Sequence, residues 1–418
     1  MVSIDGRRAR IERLARLAKC YRGWTAAELN DALGREPSRV APATGNPKLD
    51  LVARLADALE WEIGDVARGI WCESPDDAGR ETEDFVELDA RAQREHRAGA
   101  FDEMQRTARA MQGAASTPRE RAIAANRLAG ACDGLGHYAA AVNAVREGLA
   151  EHGAGADVRL MLTINLANGC YTLWHLDEAH AIASSVASAL DARTRSVSST
   201  RIERVACAFA HAIRGHCARR MLGRAPAGGA GALADEAARE LRDAGARFRA
   251  LHEEHGDPQY AGLAFTAEGG GVEAAVAGGA LGAEDALARI LDELDRFVDI
   301  AATASPQRVE GAGWWSVFGA NIALRAGLAS ADEVDRTLAI CTNKASEVAE
   351  HLGHWPIRER TFTLEWLRRT LRGRIDPADN PEWMLDADDV RVLVGTMARF
   401  PHFRRTGWEI LDRSVVAA

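Results

Sequence analysis

Two groups of residues carry side chains that could do chemistry, but neither has the spacing of a known reaction centre. His252 and His255 enclose two glutamates, yet zinc-protease helices place their histidines at i and i+4 and add a third ligand, which is missing here. The glycine run 269–271 leads into Val272 and Glu273 without a preceding strand, and the sequence contains no G-x-x-x-x-G-K-[ST] motif. The sequence therefore predicts neither a zinc-protease centre nor a phosphate-binding loop.

The seven cysteines also lack the spacing of a functional centre. They are far apart, odd in number and form no C-x-x-C pair, as expected for buried thiols in a reducing compartment. No stretch reaches the roughly 18 apolar residues that a membrane helix needs. We expect a cytoplasmic protein with no membrane contact that is not an enzyme and holds neither a metal nor a cofactor.

Positive charge is concentrated at the start of the chain. Residues 1–48 contain ten Lys or Arg against five Asp or Glu, a net charge of +5, so residues 49–418 carry −14 of a chain total of −9. Because DNA binding depends on neutralising phosphates, this segment could contact double-stranded DNA, whereas the acidic remainder argues against broad nucleic-acid binding elsewhere.

Short helices would have to position these charges. Ile11, Leu14, Ala18 and Tyr21 repeat at helical spacing, and Thr25 begins a second helix. Glu28 completes a capping box there, and Gly34 ends that helix. A short third helix is predicted over 36–41, before Pro42, and two further apolar stripes predict a fourth and a fifth helix, at Leu51, Val52, Leu55, Ala56 and Leu59 and at Trp61, Ile63 and Val66.

Two stretches resemble the helix-turn-helix domain of Cro and phage-repressor-like (XRE-type) regulators: W-T-A-A-E-L-N-D-A-L-G over 24–34 and G-N-P-K-L-D-L-V-A-R-L-A-D-A-L-E-W over 45–61. The resemblance implies that polar side chains at the starts of the second and third helices meet DNA. In this sequence those residues are Thr25, Arg35, Ser38, Arg39 and Lys48. Ala26 stands where the family often has Gln, and Pro42 shortens the third helix. The alternative is therefore that the bundle is a degenerate module used for docking or dimerisation and not for DNA contact.

A repeat of 37 to 38 residues follows. L-A-G-A-C-D-G-L-G-H-Y-A-A-A-V from Leu128 aligns with L-A-N-G-C-Y-T-L-W-H-L-D-E-A-H from Leu166, so that Cys132 matches Cys170, Tyr138 matches Leu176 and Ala141 matches Ala179. A weaker copy contains Ala92, Gly99, Phe101 and Met104. These signatures resemble tetratricopeptide repeats over residues 82–190. Small residues recur where the two helices of a repeat would cross closely.

The predicted fold is all-α: a small five-helix bundle followed by a tetratricopeptide-like α-solenoid of antiparallel hairpins. We assign residues 1–72 to the helix-turn-helix module, 73–81 to a linker and 82–224 to the repeats. Residues 225–234 form a Gly/Ala-rich flexible link, and 235–418 form further hairpins, at 258–300, 308–352 and 356–413, with helix starts near Asp332 and Asp386. Trp314 and Trp315 cannot share one helix face, so one of them should enter the core.

The first helices of such a solenoid line a groove. The groove-facing positions of the two best repeats are Ile123, Asn126, Asp133, Met161, Asn165, Asn168 and Tyr171. Asn side chains there could hold both the N–H and the C=O of an extended peptide, although each could instead be solvated or bonded within the protein.

The combination resembles bacterial regulators in which a tetratricopeptide array dimerises and senses a peptide or protein. That resemblance implies a homodimeric transcription regulator whose partner alters DNA affinity by a population shift. The alternative is an interaction scaffold whose first module no longer binds DNA.

Overall fold

The computed structural model describes residues 3–35, 40–71, 83–195, 199–224, 229–302, 305–325, 330–375 and 383–416. The chain forms two compact units, Met1–Asp84 and Phe85–Ala418. Within the described ranges, no helix has both the length and the apolar character needed to cross a membrane.

The first unit contains four helices in its described part, α1 (Ile4–Arg22), α2 (Ala26–Leu33), α3 (Leu49–Leu59) and α4 (Ile63–Trp71). The predicted capping box is confirmed: the Glu28 N–H donates to Thr25 Oγ1, and the Glu28 carboxylate accepts from the Thr25 N–H at 2.8 Å. Gly34 ends α2 with a φ of 62°, a conformation that favours glycine. The apolar stripes of the four helices meet in one core, which includes Ile11, Leu14, Leu33, Leu51, Leu55, Val66 and Ile70.

The predicted third helix, over residues 36–41, is not present at the two of its residues that the structure describes. Residues 36–39 lie outside the described part of the chain, and Val40 and Ala41 form a bend rather than a helical turn. Pro42 follows this bend. Because Pro fixes its own φ and disfavours the helical conformation at the preceding residue, Ala41 and Pro42 are poor continuations of a helix.

The second unit is a series of helical hairpins. Its helices are α5 (Phe85–Ala98), α6 (Phe101–Ala114), α7 (Pro118–Gly134), α8 (Tyr138–Ala150), α9 (Ala156–Thr172), α10 (Leu176–Leu190), α11 (Arg201–Met221), α12 (Ala230–His255), α13 (Pro258–Ala277), α14 (Ala283–Asp295), α15 (Pro306–Arg325), α16 (Ala331–Leu352) and α17 (Trp355–Ile375). Each of these helices contacts the next one in the chain. Tyr138 and Leu176 begin α8 and α10, as the aligned repeats predict, and Ala141 and Ala179 are buried.

The odd-numbered helices also contact one another. From α5 to α17, each odd-numbered helix packs against the next odd-numbered one, so these seven helices form one continuous layer. We call it the odd-helix layer. In such an arrangement the even-numbered helices lie on the flank of this layer, as expected for stacked antiparallel pairs joined by short turns.

Two predicted boundaries need correction. Of the predicted flexible link 225–234, residues 225–228 lie outside the described part, but 230–234 form the first turn of α12, because alanine is the strongest helix former. Asp332 does not begin α16; Ser330 caps it and accepts from the Glu333 N–H, whereas Asp386 caps its helix as predicted.

The C-terminal segment does not extend the stack as a further hairpin. After α17 come strand β1 (Trp383–Leu385), α18 (Ala387–Arg399), a 3-10 turn, α19 (Arg404–Asp412) and strand β2 (Ser414–Val416), and the two strands pair in parallel. Leu393, Met397, Phe400, Phe403 and Ile410 pack in one cluster with residues of the earlier repeats, namely Tyr138, Val142 and Leu173. The segment therefore folds back onto α8 and onto the turn after α9.

The all-α expectation is confirmed for the described residues, apart from the two three-residue strands.

Candidate ligand site on the odd-helix layer

The structure brings together two of the predicted groove residues. The Nδ2 group of Asn165 on α9 donates to Oδ1 of Asn126 on α7 at 2.8 Å, so part of their hydrogen-bonding capacity is used within the protein. Ile123 packs partly buried against the core of α5, α6 and α7. Met161 and Asn168 are half-buried on α9.

Asp133 lies at the end of α7, and its side chain is exposed to solvent. The protein atoms crowded around it and the nearby Glu310 raise its pKa to about 6, whereas His354 acts in the opposite direction. Glu310 is on α15, and His354 directly precedes α17, so the end of α7 lies near these two later helices.

Tyr171, the last of the predicted groove residues, borders a second and more strongly charged region. The guanidinium carbon of Arg220 lies 3.8 Å from the centre of the Tyr171 ring, and Arg220 Nη1 donates to the Tyr171 carbonyl at 2.8 Å. Arg220 ends the neighbouring helix α11. This contact leads from the predicted groove to a pocket that the sequence did not predict.

Four arginines meet in that pocket, which we call the arginine pocket. Its volume is about 40 Å³, and it lies among α11, α15, α17 and the turn after α9. Its walls are formed by Trp174, Arg219, Arg220, Trp314, Val317, Asn321, Arg325 and Arg360. None of these described lining residues is acidic.

One carboxylate balances two of the arginines from outside the pocket wall. Glu273 is 1% exposed; its Oε2 accepts from Arg219 at 2.7 Å and from Asn321 at 3.2 Å, and its Oε1 pairs with Arg325 at 3.0 Å. A buried carboxylate with three donors is well satisfied. Glu273 therefore fixes the positions of three pocket side chains.

The other two arginines are less well neutralised. Arg360 lies 3.8 Å from Glu359, which also pairs with His402 at 3.5 Å, and Arg220 has no carboxylate within salt-bridge distance among the described residues. Burial lowers the pKa of Arg220 to about 10, and the neighbouring Arg360 acts in the same direction. The two guanidiniums thus lie in a region of positive potential.

Trp174 has an unusual backbone for its residue type. Its φ is 64°, and the aligned positions of the two preceding repeats are glycines with similar values, Gly99 at 70° and Gly136 at 75°. A non-glycine residue in this conformation costs roughly 1–2 kcal/mol. The Trp174 ring lies 4.4 Å from the guanidinium of Arg220 and 5.2 Å from that of Arg360. Strain combined with cation–π contacts of this kind is common at functional sites.

Trp314 and Trp315 divide between the pocket and the core. Trp315 is fully buried and donates from Nε1 to the Phe265 carbonyl at 2.8 Å, whereas Trp314 lines the arginine pocket. The prediction that only one of them enters the core is confirmed.

The sequence did not predict the arginine pocket, because its first and last arginines are more than 140 positions apart. Trp174 nevertheless gave a signal, since it replaces an aligned glycine.

The predicted DNA-contacting residues of the first unit have varied surroundings. Thr25 uses its hydroxyl in the α2 capping box, and Arg35 lies 3.8 Å from Asp50. Lys48 is exposed at the start of α3, and Ser38 and Arg39 lie outside the described residues.

Two exposed cations of α1 were not singled out from the sequence as DNA contacts. Arg13 and Arg16 are one turn apart, and no described carboxylate pairs with either of them. By contrast, Arg22 of the same helix is bound by Glu60 at 3.0 Å and by α3 carbonyls. In the described part of this unit, exposed cations without a paired carboxylate therefore include Arg13 and Arg16 on α1, Lys48, and Arg54 on α3, which donates to the Ala32 carbonyl.

A buried charge network lies between α10, α11 and α12. His211 is 4% exposed and bridges Asp191, at 2.8 Å, and Glu240, at 2.7 Å. Burial alone would lower the His211 pKa, but hydrogen bonds to Cys207, Glu240 and Asp191, which favour the protonated ring, raise it to about 10. Cys207 is close enough to form a metal cluster with Asp191 and His211, but Arg247 already pairs with the same Asp191 oxygen at 2.8 Å. The geometry is that of a structural ion network.

A second group with metal-ligand chemistry comprises Cys170, His175 and Glu178. A thiolate, an imidazole and a carboxylate together suit Zn²⁺. Here burial raises the pKa of the Cys170 thiol to about 11, and Arg146 pairs with Glu178 at 3.1 Å. A protonated thiol and an ion-paired carboxylate are both poor metal ligands, so these two observations argue against a metal site at this cluster.

No protein-family model matches its sequence, and no curated protein is significantly similar to it, so its function has to be argued from the side chains described above.

Proposed function

We propose that this chain is a DNA-binding transcription regulator in which a small helix-turn-helix unit is joined to a tetratricopeptide-like array that binds a ligand or a partner. The observation that carries the proposal is that the chain contains a small capped-helix unit and an array with a small pocket lined by four arginines. In this proposal the regulator is a cytoplasmic homodimer.

The ligand role of the array is supported by the arginine pocket and the predicted groove beside it. Tyr171 contacts Arg220, and the paired Asn126 and Asn165 lie on the same odd-helix layer. A peptide or protein partner would lie along these residues, with its acidic groups at the arginines. Electrostatic complementarity of this kind favours fast and selective association.

The DNA role of the first unit is supported by exposed cations. Arg13, Arg16 and Lys48 are free to approach phosphates, and phosphate contacts supply most sequence-independent affinity for DNA. Sequence readout would require residues of the turn after α2, where Arg35 is already close to Asp50. We expect the unit to bind DNA with strong salt dependence.

Three observations favour the scaffold alternative. The Thr25 hydroxyl is engaged within α2, Arg35 is close to a carboxylate, and residues 40–41 are not helical. A module with these features could dock onto a protein without reading DNA bases.

An electrophoretic mobility assay on genomic fragments discriminates between the two functions. We expect wild-type binding to weaken strongly between about 50 and about 200 mM salt, and the double variant Arg13→Gln/Arg16→Gln to lower the salt slope by roughly 2. Arg106→Gln is the control, because Arg106 is exposed on α6 of the array. No salt-sensitive binding by the wild type would exclude the regulator and leave the scaffold.

A further inference from the structure

We propose that the arginine pocket binds the phosphate monoester group of a small molecule. The inference deepens the proposed ligand role of the array and depends on that role, but it does not depend on DNA binding. It rests on the charge, the free donors and the size of the pocket.

The charge balance of the pocket leaves room for a dianion. Four guanidiniums line it, and two buried carboxylates, Glu273 and Glu359, pair with them from outside. Glu310 contacts Trp314 and lies 3.3 Å from His354, but it does not line the pocket. Two positive charges therefore remain, which matches a phosphate monoester better than a single carboxylate.

Unused hydrogen-bond donors point to the same ligand. Arg219 is 3% exposed, and its Nη1 donates to Glu273 at 2.7 Å, so this guanidinium is held in place beside Arg220. Among the described residues, Arg220 donates from Nη1 to the Tyr171 carbonyl, and a guanidinium offers five N–H donors. Arginine presents these donors as a planar fork that fits phosphate oxygens. A bound phosphate would satisfy donors that the protein leaves open.

A neighbouring histidine reports the positive potential. His216 lies on α11 beside Phe318, with their rings 6.1 Å apart, and its Nδ1 has no hydrogen-bond partner. Burial lowers the pKa of His216 well below its usual value, and the charges of Arg219 and Arg220 lower it further. The imidazole is therefore neutral, so the pocket keeps its charge on arginine alone.

The size of the pocket limits what it can hold. About 40 Å³ accommodates an anionic head group or a few waters, but not a whole metabolite or peptide. Trp174 also lines a second cavity of about 680 Å³ with Leu176, Met221 and Leu233. That volume is in the range of small-molecule sites. Trp174 is common to the two cavities, and the larger one is also lined by Asp177, Glu178 and Arg224, so we expect the part of the ligand beyond the phosphate to be polar and uncharged or cationic.

Isothermal titration calorimetry of the full chain tests this inference. The probes are inorganic phosphate and adenosine 5′-monophosphate, titrated at constant ionic strength, which separate free phosphate from a phosphate carried by a larger molecule. The variants are Arg220→Gln and Arg360→Gln. The control is Arg358→Gln, because Arg358 is also on α17 but stacks on Trp355 outside the pocket.

We expect both probes to bind, with the nucleotide tighter if it uses the second cavity. Each pocket variant should weaken binding by about tenfold or more, and Arg358→Gln should leave the Kd unchanged. A third variant guards against misfolding: Trp174→Gly removes the ring but places glycine where the aligned repeats have it, and it should also weaken binding.

Two outcomes would overturn the inference. One is no binding of either probe up to about 10 mM. The other is an equal loss in the pocket variants and in Arg358→Gln, because that would show a general charge effect. If the protein binds phosphate but not DNA, the proposed regulator function is wrong and the proposed phosphate site is still supported.

Discussion

A methyl group added at Gly136 tests how the C-terminal segment packs on the earlier repeats. Gly136 has a φ of 75°, and a Cβ there would lie 2.6 Å from Arg399 Nε and 2.6 Å from Trp355 Cδ1. Gly99 is the aligned position one repeat earlier. Its φ is 70°, and a Cβ there would meet nothing within 4 Å. The two sites share the same backbone requirement and differ only in their neighbours.

The structure gives the size of the difference. Gly99→Ala should cost roughly 1–2 kcal/mol of unfolding free energy, because only the left-handed backbone opposes the methyl group. Gly136→Ala carries the same term and must also displace Trp355 or Arg399, which adds about 1–3 kcal/mol as in other overpacked sites. Arg399 lies 3.7 Å from the Trp355 ring, so the two side chains would have to move together.

The assay compares urea denaturation midpoints of the two variants by circular dichroism, together with hydrogen exchange of α18. We expect both variants to unfold at a lower urea concentration than the wild type, with the lower midpoint for Gly136→Ala, and faster α18 exchange for Gly136→Ala only. Equal midpoints and equal exchange would refute the packing of the C-terminal segment onto the turn between α7 and α8.

Three further predictions concern groups outside the pocket. The His211 pKa is raised from 6.5 to about 10. The stability that protonated His211 gives to the folded protein is therefore complete below about pH 6.5 and is lost as the pH rises through about 10. Thermal melts from neutral to alkaline pH should show this loss in the wild type but not in His211→Gln. Because His211→Gln removes the cation between Asp191 and Glu240, it should itself cost about 3–5 kcal/mol, and a cost near zero would contradict the ion network. Cys20 is exposed, so a maleimide should label it in the native protein, as peptide mapping would show. The buried thiols should be labelled only after unfolding, namely Cys132, Cys170, Cys207, Cys217 and Cys341. Thr25→Ala should lower the stability of the first unit by about 1 kcal/mol through loss of the α2 cap, and a variant as stable as the wild type would contradict the capping role.

Local signals in the sequence account for the parts of the fold that were predicted. The α2 start follows from Thr25 and Glu28, which bond to each other's backbone three residues apart. The α8 and α10 starts follow from small and apolar residues that recur at a fixed period. Both signals depend on neighbours in sequence, so one chain suffices to find them.

The return of the C-terminal segment could not be predicted in this way. It depends on apolar contacts such as Phe400 with Tyr138, whose rings are 5.2 Å apart although the residues are far apart in sequence. Any helix with an apolar stripe would satisfy the same pattern, and the pattern does not identify the partner.

The arginine pocket illustrates the same limit for a site. Arg219, Arg325 and Arg360 lie on three different helices and resemble ordinary surface arginines in the sequence. What unites them is the packing of α11, α15 and α17 in the odd-helix layer. Trp174 was the one visible clue, because a repeat position that holds glycine elsewhere holds an aromatic ring there.

In the proposed regulator, a ligand bound to the array changes the affinity of the first unit for DNA. Fluorescence anisotropy of a bound DNA fragment, measured with and without adenosine 5′-monophosphate at constant ionic strength, tests it most directly. We predict that the ligand changes the DNA Kd of the wild type by about fivefold or more, as linked sites commonly do, and that Trp174→Gly abolishes the change. An unchanged DNA Kd in the wild type when the nucleotide saturates the array would contradict the account.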